Sequence, residues 1–301
     1  MPVAYTDETP VVHRAGPKAQ DDDLDNSLAL SPWMPVVLVL TGFLVSAYGA
    51  MAGVGGAVLL LPVLLLFFPG ARLEVITGVS LAVVVIGAVS GAIAYAHQGR
   101  IDYRSGALFA AATIPATVLG VLVLQFVSME LFSAIFALLL LGLAAFIMMR
   151  PADEGRVRAG VAAGAACRLV DRGGQTFTWA FNRWLGAGLS LAIGFMAGLL
   201  GIGGGVIHVP VMVYVLCFPV HIATATSYFV LVFTALTGVV THLVIGSYSS
   251  DWPIILWLAL GVLPGSQAGA RLARRLRGTL VIKTLTPALI VLGIRMLFEA
   301  F

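Results

Sequence analysis

Two short glycine-rich segments carry the residues of this chain that could bind a ligand. The first, at 49–62, reads GAMAGVGGAVLLLP, and the second, at 198–210, reads GLLGIGGGVIHVP. Glycine permits tight turns, and the backbone N–H groups at such turns are free to face a ligand. A short apolar limb begins at each turn, and its N-terminus would present partial positive charge. The pair of segments therefore predicts a site for a small anion.

The predicted site combines backbone positions at the turns with side chains that follow them. The backbone positions are Gly53, Gly55, Gly56, Ala57, Gly201, Gly203, Gly204 and Gly205. The hydroxyl side chains that could complete the anion's shell are Thr77, Ser80, Thr224, Thr226 and Ser227. Within each half, a Thr and a Ser three residues apart share one helical face. His208, just past the second turn, could hold the anion or carry a coupled proton.

Each of these residues also has a purely structural interpretation. Glycines allow close helix packing, and small-xxx-small spacing recurs at Gly87 and Gly91 and at Gly261, Gly265 and Gly269, which we interpret as packing. Packing alone does not need adjacent glycines twice at the start of a short limb, so we favour a ligand site at the turns. For the hydroxyls, bonding to the carbonyl four residues earlier stays open. For the histidine, a hydrogen-bonded core role stays open.

The composition is that of a membrane protein. Of 301 residues, 60% are hydrophobic and 10% charged, whereas a soluble domain carries about 25% charged residues. Five apolar runs reach the ~18 residues that a helix needs to cross a bilayer. They are 75–96, 105–127, 131–149, 222–245 and 253–270. A sixth, weaker run at 280–298 is interrupted by Lys283 and Arg295, whose stems could snorkel to the headgroups.

Several function classes are disfavoured. The net charge of +3 comes from cations in short loops between apolar runs, so we predict no nucleic-acid partner. Cys167 and Cys217 share no metal-ligand or redox spacing, and no metal or cofactor is predicted. The sequence contains no HExxH, no GxSxG and no paired intramembrane carboxylates, so we expect no enzyme activity.

Arginine bias predicts the orientation in the membrane. The segments 99–104, 150–183 and 271–278 are rich in arginine and should be cytoplasmic, which places both termini outside. The predicted divisions are a disordered acidic tail at 1–33, a first membrane repeat at 34–150, a basic cytoplasmic linker at 151–183 and a second repeat at 184–301. Arginines at the cytoplasmic side would also concentrate anions there.

The two halves align as copies of one unit. Matching Pro62 to Pro210 pairs the turn glycines, Thr77 with Thr224 and Ser80 with Ser227. Each unit holds a hairpin, at 36–68 or 184–218, and three spanning helices, an odd number of crossings that inverts the second copy. The limb at 57–68 would be only ~18 Å long, too short to cross.

We predict an all-α polytopic membrane protein of two inverted-topology repeats, each a broken or re-entrant hairpin plus three helices, with eight to ten membrane segments. This is a secondary-transporter architecture, with the substrate near the midplane.

The chain also resembles the TauE/SafE sulfite exporter family over roughly residues 38–298. The segments AGVGGAVLLLP and LGIGGGVIHVP carry the resemblance, supported by ITGVSL and TATSYF. It implies export of sulfite or a small organosulfonate across the bacterial inner membrane. The alternatives are an anion channel, an importer of another oxyanion such as thiosulfate or sulfate and, less favoured, a membrane-embedded enzyme. Proton or ion coupling and the oligomeric state stay open.

Overall fold

The computed structural model describes residues 33–53, 55–68, 71–149, 165–248, 252–276 and 278–300. The predicted acidic tail, apart from its last residue, and the first part of the predicted linker lie outside these ranges. Within them the chain forms ten α-helices and one β-hairpin. The helices are α1 Met34–Ala52, α2 Ala57–Phe67, α3 Leu73–Gln98, α4 Tyr103–Leu124, α5 Met129–Met149, α6 Arg183–Leu200, α7 Gly205–Tyr214, α8 Val220–Ile245, α9 Trp252–Ala273 and α10 Gly278–Ala300.

Seven of these helices are long and apolar enough to cross a membrane: α1, α3, α4, α5, α6, α8 and α9. By contrast, α2 and α7 have only 11 and 10 residues, as the short limbs of the two predicted hairpins require. The chain is therefore an all-α, multi-pass membrane protein, which confirms the predicted fold class at that level. The depth at which the hairpins turn stays a prediction.

Local sequence determines where several helices begin and end. The Asp102 carboxylate accepts hydrogen bonds from the Arg104 and Ser105 amides and so caps the N-terminus of α4. The Asn182 side chain does the same for α6. Helices α3 and α8 end at Gly99 and Gly246, both left-handed, as is common at helix C-termini.

The helices pair across the two halves of the chain. Helix α1 packs along α9 and α6 along α4, while α5 packs on α10 and α3 on α8. Under the sequence alignment, α1 corresponds to α6 and α9 to α4, so the first two pairs are counterparts of each other. The glycine series on α9 fits this packing, because a Cβ at Gly261, Gly265 or Gly269 would overlap carbonyl oxygens of α1. The packing interpretation of these glycines is thus confirmed.

Helices α3 and α8 lie side by side and run antiparallel. A Cβ at Gly91, late in α3, would meet Tyr228, early in α8. Conversely, a Cβ at Gly238, late in α8, would lie 2.7 Å from Leu81, early in α3. These reciprocal contacts place equivalent positions of the two halves against each other at the centre of the molecule.

A β-hairpin occupies part of the segment predicted as a basic linker. Strands β1 (Ala165–Val170) and β2 (Thr176–Phe181) pair antiparallel, from Ala165 opposite Phe181 to Val170 opposite Thr176. The hairpin is anchored by Trp179 and Phe181, whose rings contact Phe218 at the start of α8. Sequence analysis missed these strands, although TFTWAF alternates and DRGG is a good turn sequence.

The hairpin is also joined to the α3–α4 turn by a buried ion pair. Arg100 donates two hydrogen bonds of 3.0 Å to one Asp171 oxygen. The exposed fractions of Arg100 and Asp171 are 8% and 7%. The Gln98 side chain in turn donates to the Ala270 carbonyl of α9. The described parts of the three arginine-rich segments therefore lie together at one end of the molecule, here called the arginine end.

Hydrogen bonding determines the charge state of Asp171. Burial alone would raise the pKa of its carboxyl group, but the Gln175 amide and the Arg100 guanidinium both stabilise the charged form. The net result is a pKa below the ordinary value of 3.8. The stability that this group contributes is present above pH 3.8 and is lost as the pH falls through the lower, folded-state pKa.

We predict that Asp171→Asn lowers the free energy of unfolding by about 2 kcal/mol, because it leaves Arg100 buried without its charge partner. The melting temperature in detergent should fall at pH 7, and the difference from the wild type should shrink once Asp171 itself becomes protonated at acid pH. Arg72→Gln is the matched control. It removes a pair 3.5 Å long whose arginine side chain is 63% exposed, and it should cost less than about 1 kcal/mol. Equal effects of the two variants would contradict this account.

Candidate functional site

The two glycine turns have nearly the same backbone conformation. All six glycines that the sequence pairs have positive φ: Gly53 +80°, Gly55 +79°, Gly56 +77°, Gly201 +65°, Gly203 +67° and Gly204 +85°. This left-handed region is costly for any residue with a Cβ. The GxGG pattern is therefore a requirement of the turn conformation itself.

The two turns meet at one side chain, Leu231 of α8. A Cβ added to Gly55 or to Gly203 would overlap a δ-methyl group of Leu231. Each turn also packs on the helix of the other half. A Cβ at Gly53 would lie 2.5 Å from the Thr224 methyl group, and one at Gly201 would lie 2.7 Å from the Thr77 Cβ.

The short helices α2 and α7 begin at these turns and run to opposite ends of the molecule. Helix α7 runs to the arginine end, where Phe218 contacts the hairpin. Helix α2 ends near Phe68, which borders a small cavity with Val75 and Ile254 at the other end. The region where the two turns meet Leu231 is here called the junction. Because the first amides of a helix lack acceptors within it, both N-termini direct N–H groups and partial positive charge toward this junction. Ala57 and Gly205, the first residues of these helices, are buried there.

The predicted hydroxyls on α3 bond to protein carbonyls. Thr77 donates to the Leu73 carbonyl at 2.7 Å, the four-residue pattern that is common in membrane helices. Ser80 donates to the Gly201 carbonyl at 2.9 Å and so ties α3 to the second turn. Both hydroxyls therefore have protein acceptors, but only the Ser80 bond joins two parts of the fold.

The predicted hydroxyls on α8 differ from those on α3. The Thr224 and Ser227 hydroxyl oxygens are buried and have no hydrogen-bond partner in the described part of the chain. Thr226 points elsewhere, because its hydroxyl accepts a 3.0 Å bond from the Asp102 amide at the arginine end. The structure therefore brings Thr224 to the first turn and leaves Thr226 away from it.

His208 lies on α7 beside the second turn, and its side chain faces α6. Its Nε2 atom is 3.3 Å from the Ser190 hydroxyl, and 2% of the residue is exposed. A Cβ at Gly204 would lie 3.5 Å from its Nδ1 atom. The imidazole ring thus has a hydrogen-bond partner on α6, as expected of a histidine with a structural role in the core.

Sequence analysis missed two tyrosines near the first turn. Tyr95 donates a 2.7 Å hydrogen bond to the Ala50 carbonyl, and its ring centre is 5.3 Å from that of Tyr228. Tyr228 directly follows Ser227 and is fully buried, and its hydroxyl has no partner of hydrogen-bonding geometry among the described residues. The sequence could have indicated Tyr228, because its phenol directly follows the Thr224 and Ser227 pair in an apolar helix.

Charged groups are scarce inside the molecule. Among the described residues, the buried charged side chains are Arg100 and Asp171, which pair with each other away from the junction. Arg295 is half-buried on α10 and donates a 3.3 Å hydrogen bond to the Pro62 carbonyl of α2. The described junction thus offers uncharged donors, namely backbone amides and hydroxyls.

Comparison with known proteins identifies the family. The family model for sulfite exporter TauE/SafE matches residues 38–296. The chain is 27% identical over 274 residues to the probable membrane transporter protein YunE of Bacillus subtilis, covering 88% of this chain and 97% of YunE. It is 23% identical over 275 residues to a probable membrane transporter protein of Methanocaldococcus jannaschii, covering 87% and 94% of the two chains. No solved structure matches.

The class defined by fold and comparison is a multi-pass membrane transporter. The chain belongs to the sulfite exporter TauE/SafE family, which confirms the resemblance carried by the two glycine segments.

We predict that Gly55→Ala and Gly203→Ala each lower the free energy of unfolding by about 2 kcal/mol, because the new methyl group meets Leu231 and the positive φ disfavours a Cβ. Gly188→Ala on α6 is the control. A Cβ there meets nothing within 4 Å, and alanine favours a helix, so stability should rise by about 0.5 kcal/mol. Melting temperatures of purified protein in detergent measure both effects. A turn variant as stable as the wild type would contradict the strained-turn account.

Proposed function

We propose that this protein is a secondary transporter that exports a small sulfur oxyanion, sulfite or a small organosulfonate, across the bacterial inner membrane by alternating access. The anion would be held near the midplane by backbone amides of the glycine turns and by hydroxyl groups. The observation that carries the proposal is the pair of glycine turns, each at the N-terminus of a short helix and both against Leu231.

Electrostatics supports an anionic substrate. Two helix N-termini direct partial positive charge toward one region from opposite sides, and helix N-termini commonly bind anions. Among the described residues no buried carboxylate lies at this junction to repel an anion. Sulfite near neutral pH carries one to two negative charges on three oxygens, which suits a set of amide and hydroxyl donors.

Pseudo-symmetry supports alternating access. We propose that the halves are inverted repeats, because α1 and α9 pack as their counterparts α6 and α4 do, and because α3 and α8 run antiparallel. In transporters built this way, one repeat moves against the other around a central site. The junction residues Thr77, Thr224 and Leu231 are buried, so a substrate could enter only after such a movement.

The proposed orientation places the arginine end in the cytoplasm. Arg104 and Arg271 are exposed there, and positive residues are typical of cytoplasmic loops. Both termini would then be outside. At this end, the exposed arginines would raise the local concentration of anions before they enter.

The test is efflux from liposomes that contain purified protein. We expect release of sulfite or a small sulfonate, competition among these anions, and no release of chloride. Thiosulfate or sulfate moving in their place would identify another oxyanion as the substrate. Flux that no ion gradient can drive uphill would favour a channel. Failure to move any oxyanion would contradict the proposed function.

The Gly204→Leu variant tests the site within the same assay. We expect loss of nearly all oxyanion flux, because a large side chain at this turn would contact Ala197, Ile193 and His208. Gly142→Leu on α5 is the matched control, since a Cβ there meets nothing within 4 Å, and its flux should equal that of the wild type. A folded Gly204→Leu protein with full flux would remove the second turn from the transport site.

A further inference from the structure

We propose that the side-chain donors to the anion come from the first half-site alone, namely Thr224, Ser227 and Tyr228 of α8 beside the turn at Gly53. The equivalent hydroxyls of α3 bond to the protein itself. This inference rests on the proposed function. It adds Tyr228 as a binding residue and assigns the side-chain donors to one half-site, while the backbone N–H groups of both turns keep the role proposed above.

The first argument is the state of the three α8 hydroxyls. The exposed fractions of Thr224, Ser227 and Tyr228 are 2%, 0% and 0%, and none of the three hydroxyl groups has a hydrogen-bond acceptor in the described chain. Leaving a buried hydroxyl unpaired costs free energy, because the group loses its hydrogen bonds to water and gains none in return. Three such groups on one helix are expected when a ligand supplies the missing partner.

The second argument is where these side chains lie. At spacings of three and four residues, 224, 227, 228 and 231 form one stripe along α8. Thr224 contacts the first turn at Gly53, and its hydroxyl oxygen would be 3.0 Å from a Cβ there. Leu231, one helical turn further, meets Gly55. The Tyr228 hydroxyl lies beside the Gly55 amide. The stripe thus follows the first turn to the N-terminus of α2.

The third argument comes from the counterparts on α3. Thr77 and Ser80 correspond to Thr224 and Ser227, and both donate to protein carbonyls. The counterpart of Tyr228 is Leu81, which has no hydroxyl. The stripe beside the second turn therefore offers no free hydroxyl, although the backbone conformation of the two turns is the same.

The fourth argument concerns the sign of the bound charge. A cation would need free carbonyl oxygens, and two of those at the end of α1 already accept hydrogen bonds. The Ala50 carbonyl accepts from the Gly53 amide and from the Tyr95 hydroxyl, and the Gly49 carbonyl accepts from the Gly55 amide. The start of α2 adds N–H groups, and the three hydroxyls can each donate a proton. A compact oxyanion with several acceptor oxygens fits this set.

The experiment compares matched substitutions in the two halves, using sulfite binding by the purified full-length protein and its melting temperature. Thr224→Val, Ser227→Ala and Tyr228→Phe should each raise the Kd for sulfite about tenfold, which corresponds to one charge-assisted hydrogen bond. Their melting temperatures should stay at or above that of the wild type, because no protein hydrogen bond is lost. Thr77→Val and Ser80→Ala should leave the Kd unchanged, and Ser80→Ala should lower the melting temperature because it loses the bond to Gly201.

Each other outcome overturns a definite part of the inference. Equal increases in Kd from both halves would show that side chains of α3 bind the anion as well. An unchanged Kd in all three α8 variants, with normal wild-type binding and transport, would remove the hydroxyls from the site while the proposed function stands. Sodium that stabilises the protein without sulfite, and loses this effect in the α8 variants, would show a cation site. A wild-type protein that neither binds nor moves any oxyanion would end both proposals.

Discussion

Within a bilayer, every backbone polar group must find a partner inside the protein or face a cavity. The glycine turns are where this chain departs from continuous helix. At the first turn the Gly53 and Gly55 amides donate hydrogen bonds to carbonyls of α1, so these amides and carbonyls at the end of that helix all have partners. The start of α2 has no such backbone solution by geometry, because the first amides of a helix face away from its own acceptors. The charge of the junction and the direction of the two short helices both follow from this asymmetry between helix ends.

A nearly symmetric backbone carries unequal side chains. The φ angles of the two turns agree within about 15°, and reciprocal contacts place each turn on the helix of the other half. Yet the hydroxyls of α3 bond to carbonyls while those of α8 do not. The shared conformation of the two turns thus explains the geometry of the junction, and differences between single residues of α3 and α8 explain its chemistry. Tyr228 opposite Leu81 is the clearest difference, since one is a donor and the other is not.

Much of the fold followed from patterns that physics imposes strongly. The apolar runs predicted the long helices, and the GxGG pairs predicted the turns because only glycine tolerates the positive φ there. The site was harder to predict. Spacing placed Thr77 and Ser80 at the junction, but it could not show that their protons go to protein carbonyls, which depends on packing distant in sequence. Thr226 adjoins Ser227 in sequence and still faces α4, because neighbouring helical positions point about 100° apart. The β-hairpin was missed because helix-length hydropathy is insensitive to six-residue strands.

The β-hairpin connects the two halves of the chain at the arginine end. Through Arg100 and Asp171 it is fastened to the α3–α4 turn of the first half, and through Trp179 and Phe181 to Phe218 of the second. Any motion that separates these two regions must break either the buried ion pair or the aromatic contacts. Salt screens the attraction between the charges but does not weaken the contacts between the rings. The weaker of the two connections therefore decides how such a motion responds to ionic strength.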